Sequence, residues 1–338
     1  MQAWRDVEGK CCFFYHNHLR ELLKLSNQLH DGTYKERPQK FFTIYEPKIR
    51  EIMSIAFRDR VYQRSLNDVV IYPLIQKHLI YENMACQKGK GQHKALYKMI
   101  SILTRYYNEN GSDGWVLQCD IEGYYPNMAH WVAYDLFDRY LPRWAADRAK
   151  RIIDTFDGDV GFNPGSQIIQ IVGIAALNDM DHYIKERRRM KFYERYMDDF
   201  CTLSNSKNEL ISLKCDIARI VGELDMKLHP KKTKIFKLSD GILFLGFVFR
   251  LNDNGKVVIH ISPNKVKAER RKLRRMVSLV RKGKMKKKCV DEHFESWMVH
   301  ACFGNSKRFR KKMICYYNSL WEENNDRTVD HKVQEVYC

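Results

Sequence analysis

The chain has 338 residues and is 44% hydrophobic, which is enough to bury a core in two or three subdomains. Lysine and arginine number 59 against 41 acidic residues, and this net charge of +18 indicates a polyanionic partner, most often nucleic acid, with an acidic membrane surface as the weaker alternative. No apolar run reaches the roughly 20 residues that span a bilayer, and the first residues lack a secretory signal pattern. The ten cysteines form no Cys-x-x-Cys pair, so we expect a cytoplasmic protein with reduced thiols.

The first part of the chain predicts helix followed by an extended stretch. Leucines recur at roughly helical spacing within residues 1–45, and Asp31-Gly32 is a stop signal. Basic residues, among them Arg50 and Arg58, then stand on an apolar, strand-like background over 48–64. Their forked guanidinium groups suit phosphate oxygens, although a scatter of surface arginines explains the spacing nearly as well.

Glycines alternate with lysines after residue 86, and a helix is predicted to follow. The backbone amides there, with Lys88 and Lys90, would contact phosphate or a template strand; a flexible basic turn is the alternative.

Two apolar stretches lead into aspartates. A strand that starts at Trp115 ends in Asp120, which is also a common place for a turn residue. Residues 191–203 predict two short strands joined by a tight turn that carries Asp198 and Asp199. Neighbouring carboxylates repel each other, and a divalent cation with oxygen ligands removes that cost; a solvated turn is the alternative.

Three further stretches carry candidate residues. A turn-rich loop over 158–167 runs into an apolar helix, and its Ser166 is also an ordinary N-cap. After a predicted helix over 205–226 comes the Lys-Thr-Lys run that starts at Lys232, for which a solvated strand edge has even odds. Gly246 then interrupts an apolar β segment, where it permits close approach of a nucleic-acid backbone.

The composition changes after residue 250. Between Lys265 and Lys288 stand 13 lysines and arginines and one acid, Glu269. A helix with so dense a basic face predicts phosphate contacts, although a basic face is often merely solvated. The candidate nucleic-acid-binding residues of this helix are Lys265, Arg271, Arg274 and Arg275.

Tyr-Met-Asp-Asp, ending at Asp199, resembles the catalytic motif of reverse transcriptases when it lies between β-formers, as here. Other parts resemble this family in the required order, over roughly 45–325: the arginines near 50–58, Asp120 with aromatics four and five residues on, the Lys-Thr-Lys motif and a Phe-Leu-Gly-Phe primer grip. The chain departs from the bacterial pattern at Glu51 and Met53, and Gly161 lies one residue too far from Ser166.

The resemblance implies an α+β fold, the right-hand polymerase, with an antiparallel palm sheet, fingers and a helical thumb. On that reading the chain divides into an N-terminal helical segment (1–45), fingers (46–114), palm (115–250), basic helical thumb (251–325) and polar tail (326–338).

The resemblance also assigns roles to residues. Asp120, Asp198 and Asp199 would be catalytic and would hold two Mg²⁺, with Mn²⁺ as the other candidate ion and the Ile121 carbonyl as a further ligand. The nucleotide would be bound by Arg50, Arg58, Tyr125, Ser166, Gln167 and Lys232. Tyr125 would exclude a ribose 2′-hydroxyl and Lys232 would neutralise or protonate pyrophosphate. The primer grip would be Phe244, Leu245 and Gly246.

The implied activity is RNA-directed DNA synthesis from deoxynucleotides on a template RNA with a DNA or RNA primer. Ser166-Gln167 and the Lys-Gly-x-Gly-x-His stretch resemble the bacterial or phage-encoded enzymes of diversity-generating retroelements. Those enzymes typically work with a small basic accessory protein and copy adenines inaccurately. A retron-like or phage-defence (antiviral) reverse transcriptase is the alternative within the class. A non-catalytic RNA- or DNA-binding protein with a polymerase palm is the alternative outside it.

Overall fold

The computed structural model of the chain describes residues 14–38, 40–44, 50–163 and 165–322. It mixes helices with antiparallel strand pairs, which confirms the α+β class. Contacts divide the chain into two compact units: the described residues up to 102 with 114–236, and residues 103–113 with those from 237 onward. The predicted polar tail, 326–338, lies outside the described residues. The predicted borders of fingers, palm and thumb stay predictions.

The N-terminal segment is helical only in part. Helix α1 (His18–His30) ends where Asp31-Gly32 predicted a stop. Strand β1 (Lys40–Ile44) then pairs with strand β2 (Arg50–Ser54), so the helical prediction is wrong for 40–44. Two phenylalanines, a threonine and an isoleucine fill β1, and aromatic and β-branched side chains favour a strand.

The strand-like prediction for 48–64 is also wrong beyond Ser54. Helix α2 (Phe57–Leu66) continues through a π-helical turn (Asn67–Ile71) into helix α3 (Tyr72–Gln76). Its buried residues Tyr62, Gln63 and Leu66 recur at helical spacing, and this burial overrides the strand-like local composition.

A four-stranded sheet forms the centre of the first unit, with strand order β4-β5-β3-β6. Its strands are β3 (Trp115–Cys119), β4 (Phe192–Tyr196), β5 (Asp199–Ser204) and β6 (Lys234–Lys237). Strand β5 pairs antiparallel with both β3 and β4, and the last pairs are Cys119 with Phe200 and Tyr196 with Asp199. The predicted strand before Asp120 and the predicted hairpin before Asp198 are thereby confirmed.

The helices between residues 92 and 222 are α4 (Gln92–Asn110), α5 (His130–Tyr140), α6 (Arg143–Ile153), α7 (Gln167–Ala175), α8 (Asn178–His182, followed by a π-helical turn, Tyr183–Arg187) and α9 (Lys207–Gly222). Helix α9 packs against β3 and β5, and those from residue 130 onward share a buried apolar core with residues of the sheet. Helix α7 is apolar nearly all round and is buried accordingly, whereas α9 buries one face through Leu210, Leu213, Ile217 and Val221.

The second unit contains an antiparallel three-stranded sheet and three helices. The strands are β7 (Ile242–Phe244), β8 (Phe247–Leu251) and β9 (Val257–Ile261). The helices are α10 (Pro263–Arg281), α11 (Lys287–Ala301) and α12 (Lys307–Glu322), which bury a shared core of Leu273, Val277, Val290, Phe294, Met313, Tyr317 and Leu320. The basic segment is therefore helical up to Arg281, as predicted, and residues 282–286 connect it to α11.

A search for membrane-crossing segments found no sufficiently long and apolar helix in the part of the chain that the structure describes.

Leu273→Ala tests whether the three-helix core stabilises the second unit. Leu273 is fully buried, so we expect its truncation to lower the stability of this unit by about 2–5 kcal/mol. Hydrogen exchange of peptides from α10, α11 and α12 measures this local stability. Arg274→Ala, at the exposed neighbouring position, is the matched control; equal exchange in both variants would contradict the assignment of this core.

Candidate active site

The hairpin of β4 and β5 carries two of the three predicted catalytic acids, Asp198 in its turn and Asp199 at the start of β5. Tyr196 and Asp199 are paired across the hairpin, which leaves Met197 and Asp198 as its two connecting residues. Met197 has a φ of 59°, in the left-handed region, where a residue other than glycine costs of order 1–3 kcal/mol. The surrounding structure must therefore hold this conformation.

Asp120 reaches the same edge of the sheet from the neighbouring strand. It follows Cys119, whose partner Phe200 is adjacent to Asp199. The Asp120 carbonyl accepts hydrogen bonds from the His229 amide (2.7 Å) and from Thr233 Oγ1 (3.3 Å). Lys232 Nζ donates to both carboxylate oxygens of Asp120, each at 2.9 Å. The structure thus places the Lys232 ammonium on Asp120, while its predicted role toward pyrophosphate stays a prediction.

The three carboxylates influence one another electrostatically. Burial, together with the charges of Asp198 and Asp120, raises the pKa of Asp199 to about 7, and a hydrogen bond from Gln118 Nε2 (3.3 Å) opposes the shift. Burial also raises the pKa of Asp198, and the charge of Asp120 acts in the same direction. Bringing like charges together in this way is unfavourable unless a cation lies among them.

These residues fit a divalent cation, although the described part of the chain contains no cluster of three or more His, Cys, Asp or Glu side chains already close enough to hold one. The donors are carboxylate oxygens, which Mg²⁺ and Mn²⁺ accept. The Lys232 ammonium pairs with Asp120 as a cation would. Ile121 lies opposite Leu228 in an isolated antiparallel bridge. The hydrogen bonds of this bridge run from the His229 amide to the Asp120 carbonyl and from the Glu122 amide to the Lys227 carbonyl. The Ile121 carbonyl is therefore not used by the bridge.

Tyr125 lies beside the turn and against helix α7. Its hydroxyl is 3.8 Å from Met197 Sδ, and burial raises the pKa of this phenol, so it stays neutral. Gly173 of α7 makes room for the ring, because a Cβ there would lie 2.5 Å from the Tyr125 hydroxyl oxygen. The structure therefore places Tyr125 next to the acids.

Ser166 and Gln167 differ in what their side chains contact. Ser166 is the N-cap of α7: its Oγ accepts from the Ile168 amide (3.2 Å) and donates to Gln63 Oε1 (2.8 Å). The ordinary N-cap alternative thus describes its local role. Gln167 Oε1 is buried and has no hydrogen-bond partner among the described residues.

Of the two predicted phosphate-binding arginines, the structure describes the side chain of Arg58, which contacts residues of the N-terminal segment. Arg50 begins β2, and its side chain lies outside the described part of the chain. The guanidinium of Arg58 donates to Gln28 Oε1 (2.8 Å) and to the Lys35 carbonyl (2.9 Å), and lies 4.9 Å from the Tyr34 ring centroid. Phosphate binding by Arg58 would require breaking these contacts.

The glycine–lysine loop turns one of its two candidate lysines inward. Lys90 Nζ donates to the carbonyls of Tyr81 (2.9 Å) and Asn83 (2.8 Å). Burial, reinforced by the charge of Lys94, lowers the pKa of Lys90 to about 8. Lys88 is exposed, and its ammonium lies 5.7 Å from the Tyr72 ring centroid.

The predicted primer grip forms a tight turn within the second unit. Phe244 ends β7, and Leu245 (φ 49°) and Gly246 (φ 88°) connect it to β8. Lys265 Nζ donates a hydrogen bond to the Leu245 carbonyl at 3.3 Å. The lysine occupies the space that a Cβ at Gly246 would fill. On α10, Arg271, Arg274 and Arg275 are exposed.

Sequence reasoning missed two fully buried charged residues in strand β4. Arg195 pairs with Asp181 of α8, and both side chains are 0% exposed. The carboxyl oxygens of Glu194 have no hydrogen-bond partner among the described residues, and burial raises its pKa well above the ordinary value. The available signal was two consecutive charged residues inside an apolar strand, since charges are almost never fully buried unless paired.

A profile of the family described as reverse transcriptase (RNA-dependent DNA polymerase) matches residues 45–249, more than half of the chain. The chain therefore belongs to the reverse transcriptase family, the RNA-directed DNA polymerases.

Among curated proteins, the chain is similar to the protein YkfC of Escherichia coli (strain K12). The two are 23% identical over 272 residues, which cover 67% of this chain and 70% of YkfC. Among solved structures, it is similar to an apo telomerase from Candida tropicalis truncated from the C-terminal domain, at 10% identity and a TM-score of 0.47. That match covers 65% of this chain, which spans 54% of the telomerase chain.

Glu194→Gln tests whether the buried carboxyl is neutral in the folded protein. Burial raises the pKa of Glu194 in the folded protein well above the ordinary 4.5, so above pH 4.5 the unfolded carboxyl loses its proton while the folded one keeps it. The free energy of unfolding is therefore greatest below pH 4.5 and falls as the pH rises toward the folded-state pKa. Glutamine removes this loss. We expect the variant to be more stable than wild type at pH 8 by more than about 1 kcal/mol, since one pKa unit is worth about 1.4 kcal/mol.

Urea unfolding between pH 5 and pH 8, with a chelator present, measures the difference. Glu122→Gln, at an exposed position, is the control and should retain the wild-type dependence. If Glu194→Gln also followed the wild-type curve, Glu194 would be charged when folded.

Proposed function

We propose that this chain extends a primer 3′-hydroxyl with deoxynucleotides on an RNA template. The observation that carries the proposal is that neighbouring strands place Asp120, Asp198 and Asp199 at the same end of the sheet. Lys232 forms an ion pair with Asp120 there. Membership of the reverse transcriptase family supports it. A non-catalytic binding protein has no need of three mutually repelling carboxylates at one sheet edge.

Asp120, Asp198 and Asp199 are the residues that would hold Mg²⁺, or Mn²⁺. When bound, two such ions activate the attacking hydroxyl and stabilise the charge of the leaving pyrophosphate. The protein's own contribution is to hold the carboxylates on adjoining strands. Lys232, which pairs with Asp120 in this structure, would supply positive charge for the pyrophosphate.

The neighbouring residues would select and orient the nucleotide. Tyr125 is a rigid ring beside the turn, and its bulk would exclude a ribose 2′-hydroxyl. The unpartnered Oε1 of Gln167 would accept a hydrogen bond from the nucleotide or template. Ser166 would act indirectly, by capping the helix that begins at Gln167. Arg50 and Arg58 stay candidates for the triphosphate.

The second unit would hold the nucleic acid. We assign Phe244, Leu245 and Gly246 to the primer grip, because a tight turn with a glycine permits close approach of a backbone. The exposed basic face of α10 would contact phosphates, as Lys88 would in the first unit.

A diversity-generating retroelement enzyme is our proposal for the subtype. It is supported by Ser166-Gln167 and by the Lys-Gly-x-Gly-x-His stretch that begins at Lys88. The template would be the RNA of the retroelement, and a small basic accessory protein would be a partner. Sequencing RNA that co-purifies with the protein, and the cDNA made from it, tests this: substitutions concentrated at template adenines support it. Faithful copying of a structured RNA would favour the retron-like or defence alternative.

Asp198→Asn tests the polymerase proposal. Deoxynucleotide incorporation on a primed RNA template with Mg²⁺ is compared with wild type. We expect a loss of at least about 10²-fold, because removing one preorganised charge-stabilising group from an active site costs that much. Asp31→Asn, an exposed aspartate after α1, is the matched control and should retain activity.

Activity that survived Asp198→Asn would contradict the proposal. Inactivity of the wild type in the presence of its co-purified RNA, with nucleic-acid binding intact, would favour the binding-only alternative.

Gly173→Ala tests the placement of Tyr125. The added methyl would push the ring away from α7 toward the open side of the site, so we expect deoxynucleotide insertion to fall by about tenfold, the lower end of what one methyl-sized change costs in a pocket. Adding Tyr125→Ala should restore insertion and admit ribonucleotides. Gly222→Ala, where a Cβ meets nothing within 4 Å, is the control. An unchanged rate in Gly173→Ala would contradict this role.

A further inference from the structure

Arg195 connects the acid-bearing turn to the interior of the protein. Arg195 lies two positions before Met197, the first connecting residue of the turn, and its side chain is fully buried. Its Nη1 donates a hydrogen bond to the Met197 carbonyl at 3.0 Å. Met197 is the residue with the left-handed backbone, so the bond acts on the strained point of the turn.

The other donors of Arg195 fasten it to two helices. Nε donates to Asp181 Oδ1 at 2.8 Å, and Nη2 bonds both Asp181 Oδ2 and the Ile174 carbonyl, the latter at 2.8 Å. Asp181 lies in α8, and Ile174 lies near the end of α7. The Tyr193 hydroxyl also donates a hydrogen bond to Asp181 Oδ1 at 2.6 Å. This bond holds the Asp181 carboxylate in the position from which it binds Arg195.

The backbone of Arg195 is held as well. Its amide donates to the Glu82 carbonyl (3.1 Å), and its carbonyl accepts from the Met84 amide (2.9 Å). These bonds fix the backbone from which the guanidinium reaches the turn. A planar fork can bond a carboxylate and a carbonyl at once, whereas a lysine presents a single nitrogen.

We propose that Arg195 is a positioning residue, which acts through the Met197 carbonyl to set where Asp198 and Asp199 stand and how tightly they take up a divalent cation. Asp181 is the counter-ion that makes this possible in the interior. The kinetic part of the proposal rests on the proposed polymerase function; the metal-binding part does not.

Two variants separate this role from a merely structural one. Arg195→Lys keeps the charge beside Asp181 but loses the fork. Arg195→Met combined with Asp181→Leu removes both charges, and a buried ion pair replaced by apolar side chains of similar volume often leaves stability unharmed. Both variants leave the turn without its hydrogen bond.

The chain offers a matched control pair in the same unit. Arg188 Nη1 lies 3.4 Å from Asp216 Oδ2, and both side chains are about a quarter exposed. Arg188→Met with Asp216→Leu therefore removes an ion pair between the end of the π-helical turn and α9, at a place that makes no bond to the acid-bearing turn.

Three measurements are made on each full-length protein. Thermal unfolding establishes that it folds, Mn²⁺ titration by electron paramagnetic resonance gives its metal affinity, and hydrogen exchange of the 196–200 segment reports the turn. For Arg195→Lys and the double variant we expect about tenfold weaker Mn²⁺ binding and faster exchange at 196–200. We expect kcat to fall by about 10²-fold, the cost of an approximately 1 Å misplacement, with KM for primer–template unchanged. The control pair should match wild type in all three.

The proposal is overturned if a folded Arg195→Lys protein binds Mn²⁺ and exchanges at 196–200 as wild type does. If the double variant does not fold, Arg195→Lys alone decides. A wild-type protein that incorporates no deoxynucleotide would contradict the proposed function, while the Mn²⁺ and exchange measurements would still judge the role of Arg195.

Discussion

The buried ion pair between Arg195 and Asp181 is the constraint on which the candidate site depends. Taking two charges out of water is costly, and the cost is offset only when the pair is well aligned and its remaining donors are used. Here the remaining N–H groups of Arg195 donate hydrogen bonds to the carbonyls of Ile174 and Met197, and the Tyr193 hydroxyl donates one to the Asp181 carboxylate. A single interior contact thus joins strand β4, helices α7 and α8, and the turn. Desolvation lowers the pKa of Arg195, but the charge and hydrogen bonds of Asp181 outweigh it and raise this pKa above its ordinary value, so the guanidinium stays charged.

The carboxylates gathered by this framework are in an electrostatically unfavourable arrangement when no cation is bound. Burial and mutual repulsion raise the pKa values of Asp198 and Asp199, and only Asp120 has a full counter-charge, from Lys232. The folded chain holds the acids together because the sheet register and the bonds to Asp120 are set by other interactions. Because a bound cation would relieve the repulsion among these carboxylates, the repulsion strengthens the affinity of the site for positive charge. The same arrangement that destabilises the protein alone is therefore what suits it to a reaction that develops negative charge.

Local patterns in the sequence were sufficient to predict much of this site. The apolar strand before Asp120, the hairpin around Asp198 and the helix after Ser166 each depend on near neighbours in the chain, and all three were confirmed. The misses depend on pairing and burial that the local pattern does not reveal. Strand β1 exists because β2 pairs with it, and the segment after Ser54 is helical because one face of it is buried. Two consecutive charges in an apolar strand marked Glu194 and Arg195 as unusual, but no pattern in β4 identifies Asp181 as the partner of Arg195.

The contacts of Arg195 also define how much of this protein would be needed to build the same turn elsewhere. Four residues, Tyr196 to Asp199, are the recognisable sequence, but the backbone at Met197 is held by a side chain outside them. A grafted hairpin would have to bring Arg195, and a host scaffold would need an acid in the position of Asp181 and a free helix-end carbonyl in the position of Ile174. Without them the graft would bury an unpaired guanidinium, and the hairpin would relax to a turn of ordinary geometry. The smallest transferable unit is therefore a strand pair with two helices behind it.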